Sequence, residues 1–319
     1  MKKVILHIGR HKSGTSSLQG FLHANRGALR DMGILYPSTG RGKQVAHHRL
    51  AHFLERPQPE SKDFEQLKAQ LKQESEGFDT IIISSEAFQN CRNLKALRNF
   101  FSDYHLHVVV YFREILDYLQ SAYAQRVQNT NESRGFEAYA EQTKLNYHAF
   151  YDRWEAIADT ISVHYFHRSA LKNQDIIDDF LVVSGLDISK DHNKFHQPEA
   201  DSNPSIGGNL LYFKLLYNRL GYESDKRLYR RLSEIATTNT KRFANGFYID
   251  DITASNIRKL YEDNNQFLVN HCDMLIMRDF NLKPKCPEMT TLDEDLNTIL
   301  QFMPEKSITL SELTDEKAK

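Results

Sequence analysis

One stretch near the start of the chain limits the possible folds more than any other. Residues 4–8 form an apolar run interrupted by His7, a turn bounded by Gly9 and Gly14 follows, and apolar residues at helical spacing begin at Leu18. In a strand that leads through such a turn into a helix, backbone N–H groups and the helix N-terminus point at one anion. The stretch therefore predicts a phosphate-binding loop in an α/β fold.

The next part of the chain alternates short apolar runs with longer amphipathic segments, a pattern typical of parallel βαβ units. The predicted strands are nearly continuously apolar, as expected of strands that are buried on both faces; they cover residues 3–8, 80–84, 107–112 and 161–166. The predicted helices cover residues 15–25, 64–76, 94–101, 114–128, 136–158 and 170–183. The pattern predicts one parallel sheet of about four to five strands with helices on both faces.

The C-terminal part has a different character, because helical patterns follow one another without strands. They cover residues 205–220, 225–237 and 253–277. Pro284 and Pro287 then precede a polar segment in which eight acidic residues outnumber three lysines. We therefore predict a single domain over residues 1–285, with a helical portion after about residue 185, and a polar C-terminal extension over residues 286–319.

Composition excludes several other classes of protein. Hydrophobic residues make up 40% of the chain and charged residues 26%, which is typical of a globular protein. The longest apolar runs, residues 80–83 and 108–112, are far shorter than the ~20 residues of a membrane span. The three cysteines form no CxxC pair, which favours plain thiols over disulfides or a zinc site. We expect a cytoplasmic protein without a transmembrane segment or a signal peptide.

The charge of the chain is unevenly distributed. Its formal net charge is −1, which argues against a general nucleic-acid binder. The first 50 residues nevertheless contain nine Lys and Arg residues against Asp31 as the one acid. This asymmetry favours a small polyanion held near the N-terminus, and a solvated basic surface is the alternative.

The glycine-bounded turn differs from the loop of nucleoside triphosphatases, although the GxxxxG spacing is the same. That loop has Lys directly after its second glycine and then Ser or Thr for magnesium. Here Lys12 lies inside the turn, and Gly14 is followed by Thr15. The segment HKSGTSS resembles the phosphosulfate-binding loop of sulfotransferases that use 3′-phosphoadenosine 5′-phosphosulfate (PAPS). The resemblance implies a set of donor-binding residues, namely Arg10, His11, Lys12, Ser13, Gly14, Thr15, Ser16 and Ser17.

A second motif supports the same family. The strand over residues 107–112 ends at Arg113, and Ser121 follows eight residues later on a predicted helix. Sulfotransferases have a similar arginine and serine, which together hold the 3′-phosphate of the donor. A planar guanidinium and a hydroxyl suit a dianionic phosphate. The resemblance therefore adds Arg113 and Ser121 to the donor site.

The general base has two candidates. The strand over residues 80–84 runs into Ser85 and Glu86, where cytosolic sulfotransferases have their histidine base, and Glu86 resembles the glutamate of carbohydrate-modifying branches. His47 and His48 lie in a stretch that resembles bacterial sulfotransferases with a histidine pair after a Tyr-Pro turn. Histidine titrates near neutrality, which suits a base for a sugar hydroxyl. Glu86 and His48 both remain candidates for the general base.

The resemblance implies an enzyme that transfers a sulfuryl group from PAPS to a hydroxyl of a carbohydrate or glycolipid acceptor, with 3′-phosphoadenosine 5′-phosphate (PAP) as product and no metal. Lys12 would stabilise the leaving group, the part up to about residue 185 would bind the donor, and the helical part would help to bind the acceptor. The alternative is a phosphate-loop kinase or nucleotide hydrolase, since Glu86 at a strand end could hold magnesium. The position of Lys12 and the basic Arg113 argue against this alternative.

Overall fold

The computed structural model describes residues 1–10, 13–56, 61–185, 195–196, 205–243, 249–272, 276–277 and 289–301. The chain divides into two compact units. We call the first the sheet unit; it comprises Met1–Glu114, Leu145–Glu199 and Asp263–Ile276. We call the second the helical unit; it comprises Ile115–Lys144, Ala200–Glu262 and Met277–Lys319. The single domain over residues 1–285 stays a prediction.

A parallel sheet organises the sheet unit. Its strands are β1 (Lys3–His7), β2 (Ile34–Leu35), β3 (Thr80–Ser84), β4 (His105–Phe112) and β5 (Thr160–Tyr165). Their order is β2-β3-β1-β4-β5, and every pair is parallel. The predicted α/β fold with four to five parallel strands is confirmed.

Helices cover both faces of this sheet. They are α1 (Thr15–Ala24), α2 (Arg26–Asp31), α3 (His48–Leu54), α4 (Lys62–Glu74), α5 (Leu94–Phe100), α8 (Tyr147–Glu155), α9 (Ile176–Val183) and α14 (Glu262–His271). On one face, Ile5 of β1 belongs to a core cluster with Leu18 of α1 and Phe180 of α9. On the other face, Phe112 of β4 packs against aromatic rings of α8 and α14. Burial on both faces explains why β1, β3 and β4 are nearly continuously apolar, whereas β5 at the edge of the sheet is mostly half-buried.

The register of the sheet positions the candidate site. β1 lies between β3 and β4, and His7 at its end is opposite Ser84 of β3 and Val109 of β4. The carboxyl ends of β1 and β3 therefore lie side by side. In open α/β sheets this edge is where ligands bind.

The helical unit contains α6 (Ile115–Asn129), α7 (Phe136–Gln142), α10 (Gly208–Arg219), α11 (Lys226–Thr238), α12 (Thr240–Phe243), α13 (Asp251–Leu260) and α15 (Leu292–Gln301). Lys214 of α10 is fully buried. Its Nζ donates hydrogen bonds to the Thr130 carbonyl at 3.2 Å, to Ser224 Oγ at 2.8 Å and to Asn218 Oδ1. Burial lowers the pKa of Lys214 to about 8. No helix in the described ranges is long and apolar enough to cross a membrane.

Three segments differ from the sequence-based expectation. The helix predicted over residues 136–158 is two helices, because the Asn146 side chain accepts the N–H of Ala149 at 2.8 Å and starts α8 afresh. The helix predicted over residues 253–277 is interrupted at Tyr261. The polar extension contains α15, in which the side chains of Leu296 and Ile299 are buried.

Candidate functional site

The turn after β1 depends on two glycines in the left-handed region. Gly9 has φ +37° and Gly14 has φ +71°. A Cβ on Gly9 would lie 2.7 Å from Thr15 Cγ2 and 3.3 Å from the Cα of Glu86. A Cβ on Gly14 would lie 2.9 Å from the ring of Phe166. Both positions exclude other residues by backbone angle and by space, and Gly9 lets the turn run close to the end of β3.

The N-terminus of α1 is suited to an anion. No side chain of the described residues caps α1, and its first turn carries no acidic residue. The N–H of Leu18 bonds back to the Gly14 carbonyl at 3.1 Å, so α1 begins directly after Gly14 and the positive end of its dipole lies at the turn. Thr15 is buried there, Ser16 is exposed, and Ser17 is half-buried.

Two other loop residues have buried side chains. Ser13 Oγ donates a hydrogen bond to the Arg10 carbonyl at 2.7 Å, which tightens the turn. Arg10 is 6% exposed. Its guanidinium carbon lies 4.9–5.4 Å from the centres of three aromatic rings, those of Phe112, Tyr147 and Phe150. Such cation–π contacts hold the Arg10 side chain among these three rings. His11 and Lys12 lie outside the described residues, and their roles stay predictions.

The end of β3 is held by two buried histidines. His7 Nδ1 lies 2.8 Å from Ser84 Oγ, and the His7 carbonyl accepts the N–H of Ser85 at 3.1 Å. His47 donates its backbone N–H to the Ser84 carbonyl at 2.9 Å, and its Nδ1 accepts the Ser84 N–H at 3.2 Å. Because the other ring nitrogen of His47 donates to the Pro37 carbonyl at 3.1 Å, this histidine is fully used in fixing the backbone.

Both histidines are neutral at physiological pH. Burial is the largest cause of their shifts; it lowers the pKa of His7 to about 4 and that of His47 to about 3. Each ring is fully buried. His47 is therefore a structural residue, and of the histidine pair His48 is the member that reaches the candidate site.

The two candidate bases are neighbours. His48 Nε2 lies 3.8 Å from Glu86 Oε1, and the two side chains are 35% and 23% exposed. Glu86 Oε2 accepts a hydrogen bond from Gln19 Nε2 at 2.8 Å. His48 Nδ1 lies 2.7 Å from Ser85 Oγ. The structure thus brings both sequence-predicted candidates to one place, beside the turn after β1.

Arg113 and Ser121, the predicted 3′-phosphate pair, lie in different units. Arg113 directly follows β4 and is half-buried, with its guanidinium carbon 5.7 Å from the ring centre of Phe166. Its carbonyl accepts the Tyr147 hydroxyl at 3.0 Å. Ser121 lies in the second turn of α6 and is half-buried. Their joint role stays a prediction.

Three residues of the site were missed by sequence reasoning, namely His7, Gln19 and Ser85. His7 was visible as an interruption of an apolar strand, and such a polar residue inside a buried strand is a signal for a hydrogen-bonded partner. Gln19 lies one helical turn after Thr15, on the side of α1 that faces Glu86. In the described part of the chain, no group of three or more His, Cys, Asp or Glu residues could hold a metal ion.

Comparison with known proteins finds distant structural similarity. No protein-family model matches the chain, and neither does any curated protein sequence. A sulfotransferase from Alicyclobacillus acidocaldarius matches 82% of this chain and 96% of its own, with 14% identity and a TM-score of 0.40. A structure from the PezAT toxin–antitoxin system of Streptococcus pneumoniae matches 52% of this chain and 68% of its own, with 14% identity and a TM-score of 0.26. Neither match assigns a function, and the hypothesis below rests on the residues of this chain.

Proposed function

We propose that this protein is a PAPS-dependent sulfotransferase that acts on a hydroxyl group, with carbohydrate as the acceptor class. The observation that carries the proposal is the close approach of the turn after β1 to the candidate bases. Gly9 lies so close to Glu86 that a Cβ would be 3.3 Å from its Cα. A site for an anionic donor and a site for proton removal are thereby adjacent in one unit.

The turn and α1 supply the donor contacts. The N-terminus of α1, with Thr15 and Ser16, would hold the 5′-phosphate through backbone N–H groups and hydroxyls. Lys12 would stabilise the negative charge that grows on the leaving oxygen. Arg113 with Ser121 would bind the 3′-phosphate, as the family resemblance implies. The left-handed glycines and the uncapped start of α1 fit a bound phosphate.

The chemistry requires orientation and proton removal. The bound donor would supply the sulfuryl group. Glu86 or His48 would take the proton of the acceptor hydroxyl, while the turn and α1 hold the reacting groups in line. Carbohydrate is proposed as the acceptor because Glu86 occupies the position at which carbohydrate-modifying sulfotransferases have glutamate.

Discrimination by the 3′-phosphate tests the proposed function. We expect PAP to bind roughly 30-fold to several thousand-fold more tightly than 5′-AMP, because 5′-AMP would leave the half-buried Arg113 without its anion. Arg113→Ala should remove most of this preference and leave 5′-AMP binding nearly unchanged. Arg98→Ala, which removes an exposed partner of Asp159, is the matched control and should retain the preference.

Isothermal titration calorimetry without magnesium measures all six combinations of protein and nucleotide. Equal affinity of the unmutated protein for PAP and 5′-AMP would refute the assignment. The kinase or hydrolase alternative is tested by titrating ATP with and without magnesium. Binding of ATP that depends on magnesium would support that alternative. Radiolabelled PAPS, offered with oligosaccharides, glycolipids and small phenols, then tests the acceptor class.

A further inference from the structure

The Ser85 hydroxyl determines which nitrogen of His48 carries a proton. Ser85 is fully buried. Its Oγ accepts the N–H of Ala87 at 3.1 Å and lies 2.7 Å from His48 Nδ1. A buried hydroxyl donates its proton wherever an acceptor is in reach. Among the described residues, His48 Nδ1 is the acceptor within hydrogen-bond distance of this hydroxyl.

The proton of neutral His48 therefore belongs on Nε2. Since Nδ1 uses its lone pair to accept from Ser85, the other ring nitrogen is the N–H group. This Nε2 faces Glu86 Oε1 at 3.8 Å, which is too long for a direct hydrogen bond. This separation allows one oxygen atom to lie about 3 Å from both atoms, to one side of the line that joins them. A hydroxyl placed there would accept from His48 and donate to Glu86.

Gln19 fixes the other half of this arrangement. It is 5% exposed, and its amide holds Glu86 Oε2 at 2.8 Å. The bond holds Oε2 in place and leaves Oε1 on the side of His48. Glu86 thus presents one oxygen as a proton acceptor, while His48 presents a proton.

We propose that His48 is a hydrogen-bond donor to the acceptor oxygen, that Glu86 is the base, and that Ser85 and Gln19 are positioning residues. This inference rests on the proposed function. The acceptor proton passes to Glu86 Oε1 as the acceptor oxygen forms its bond to sulfur. The bond between sulfur and the 5′-phosphate oxygen breaks, and its electron pair remains on that oxygen. His48 stays neutral throughout.

The tautomer is measured directly on the protein without nucleotide or acceptor. Two-bond ¹H–¹⁵N correlation spectra of histidine-labelled protein at neutral to mildly alkaline pH distinguish the two neutral tautomers, and loss of one signal set in His48→Gln identifies His48. We expect the Nε2–H form in the unmutated protein and a mixture of both forms in Ser85→Ala. An Nδ1–H form in the unmutated protein, or an unchanged tautomer in Ser85→Ala, would overturn the inference and leave the sulfotransferase assignment standing.

Two amide substitutions test the role in transfer from radiolabelled PAPS to an acceptor found in the screen. The amide of His48→Gln can place its N–H near the position of Nε2, whereas that of His48→Asn lies near the position of Nδ1. Loss of one donor costs ~10²–10³ in rate. We expect kcat to fall at least tenfold more in His48→Asn than in His48→Gln. We also expect the decline of kcat at acidic pH to persist in His48→Gln. Equal losses of kcat, or disappearance of the decline at acidic pH, would make His48 the base. PAP affinity serves as the check on folding.

Discussion

Two buried histidines of the sheet unit and one buried lysine of the helical unit differ in charge at physiological pH. His7 and His47 lie at the end of β3 as neutral rings, because burial lowers their pKa values to about 4 and about 3. Lys214 of the helical unit is surrounded by three oxygen partners and keeps a pKa of about 8. The comparison shows that His7 and His47 add no positive charge to the end of β3 at physiological pH. The helical unit instead uses a cation to join α10 to the segment around Thr130.

The most severe change expected is loss of the Glu86 carboxylate beside the neutral histidines at the end of β3. If the proposed function holds, Glu86→Gln keeps the shape of the side chain and removes the proposed base, so sulfuryl transfer should fall by ~10²–10⁴ while PAP still binds. Glu65→Gln on the exposed surface of α4 is the matched control and should have unchanged transfer. Rates with radiolabelled PAPS and calorimetry with PAP measure the two effects. Retained transfer in Glu86→Gln would show that Glu86 is not the base.

The buried histidines predict acid sensitivity of the sheet unit. Their folded pKa values lie below the ordinary 6.5, so between about pH 6.5 and pH 4 the unfolded chain binds more protons than the folded one. Stability should therefore fall as the pH is lowered through this window, by up to ~2.7 kcal/mol per pH unit for two groups. His47→Asn keeps an acceptor for the Ser84 N–H and should reduce the slope by about half of this amount. Urea unfolding at several pH values measures the slopes, and identical slopes would contradict the buried neutral state of His47.

A smaller effect on stability, at alkaline instead of acidic pH, is expected from the helical unit. Burial lowers the pKa of Lys214 from 10.5 to about 8, so between these values the unfolded chain holds a proton that the folded one has lost. Stability should rise with pH in this window by up to ~1.4 kcal/mol per pH unit for one group. Lys214→Met should lack this contribution, whereas Lys226→Met on the exposed face of α11 should retain it. Urea unfolding between pH 8 and 9.5 measures the free energy of unfolding. Equal pH dependence of this free energy in the unmutated protein and in Lys214→Met would refute the prediction.

The sequence predicted the sheet unit better than the helical unit. Continuous apolar runs identify β1, β3 and β4 because each is buried on both faces, and the same kind of run identified β5, which is mostly half-buried. β2 is two residues long, too short for a periodic pattern. The break before α8 depends on the Asn146 cap, which competes with helix continuation and was not recognised inside a longer helical pattern. Nothing in the spacing around Lys214 indicates that this lysine is buried.

The sequence predicted the ionisable side chains of the candidate site and missed the residues that hold them in place by hydrogen bonds. Glu86 and His48 were identified because their positions resemble those of candidate bases in sulfotransferases, and both residue types suit proton transfer. Gln19 and Ser85 act through hydrogen bonds to these two side chains, across 67 and 37 residues of chain. Such partners become neighbours through the sheet register and the docking of α1 and α3, which no local pattern encodes.

The side-by-side ends of β1 and β3 also limit how this chain can diverge among its descendants. Ser85 continues the extended backbone of β3 with φ −164° and ψ 132°, so Ser84 and Ser85 point to opposite sides and reach different histidines. Exchange among Ile, Val and Leu inside β3 preserves this alternation, whereas gain or loss of one residue reverses it. Descendants should therefore vary in which apolar residues occupy positions 81–83 and keep the number of residues there. A single insertion would exchange the histidine partners of Ser84 and Ser85 and turn the Glu86 side chain away from Gly9.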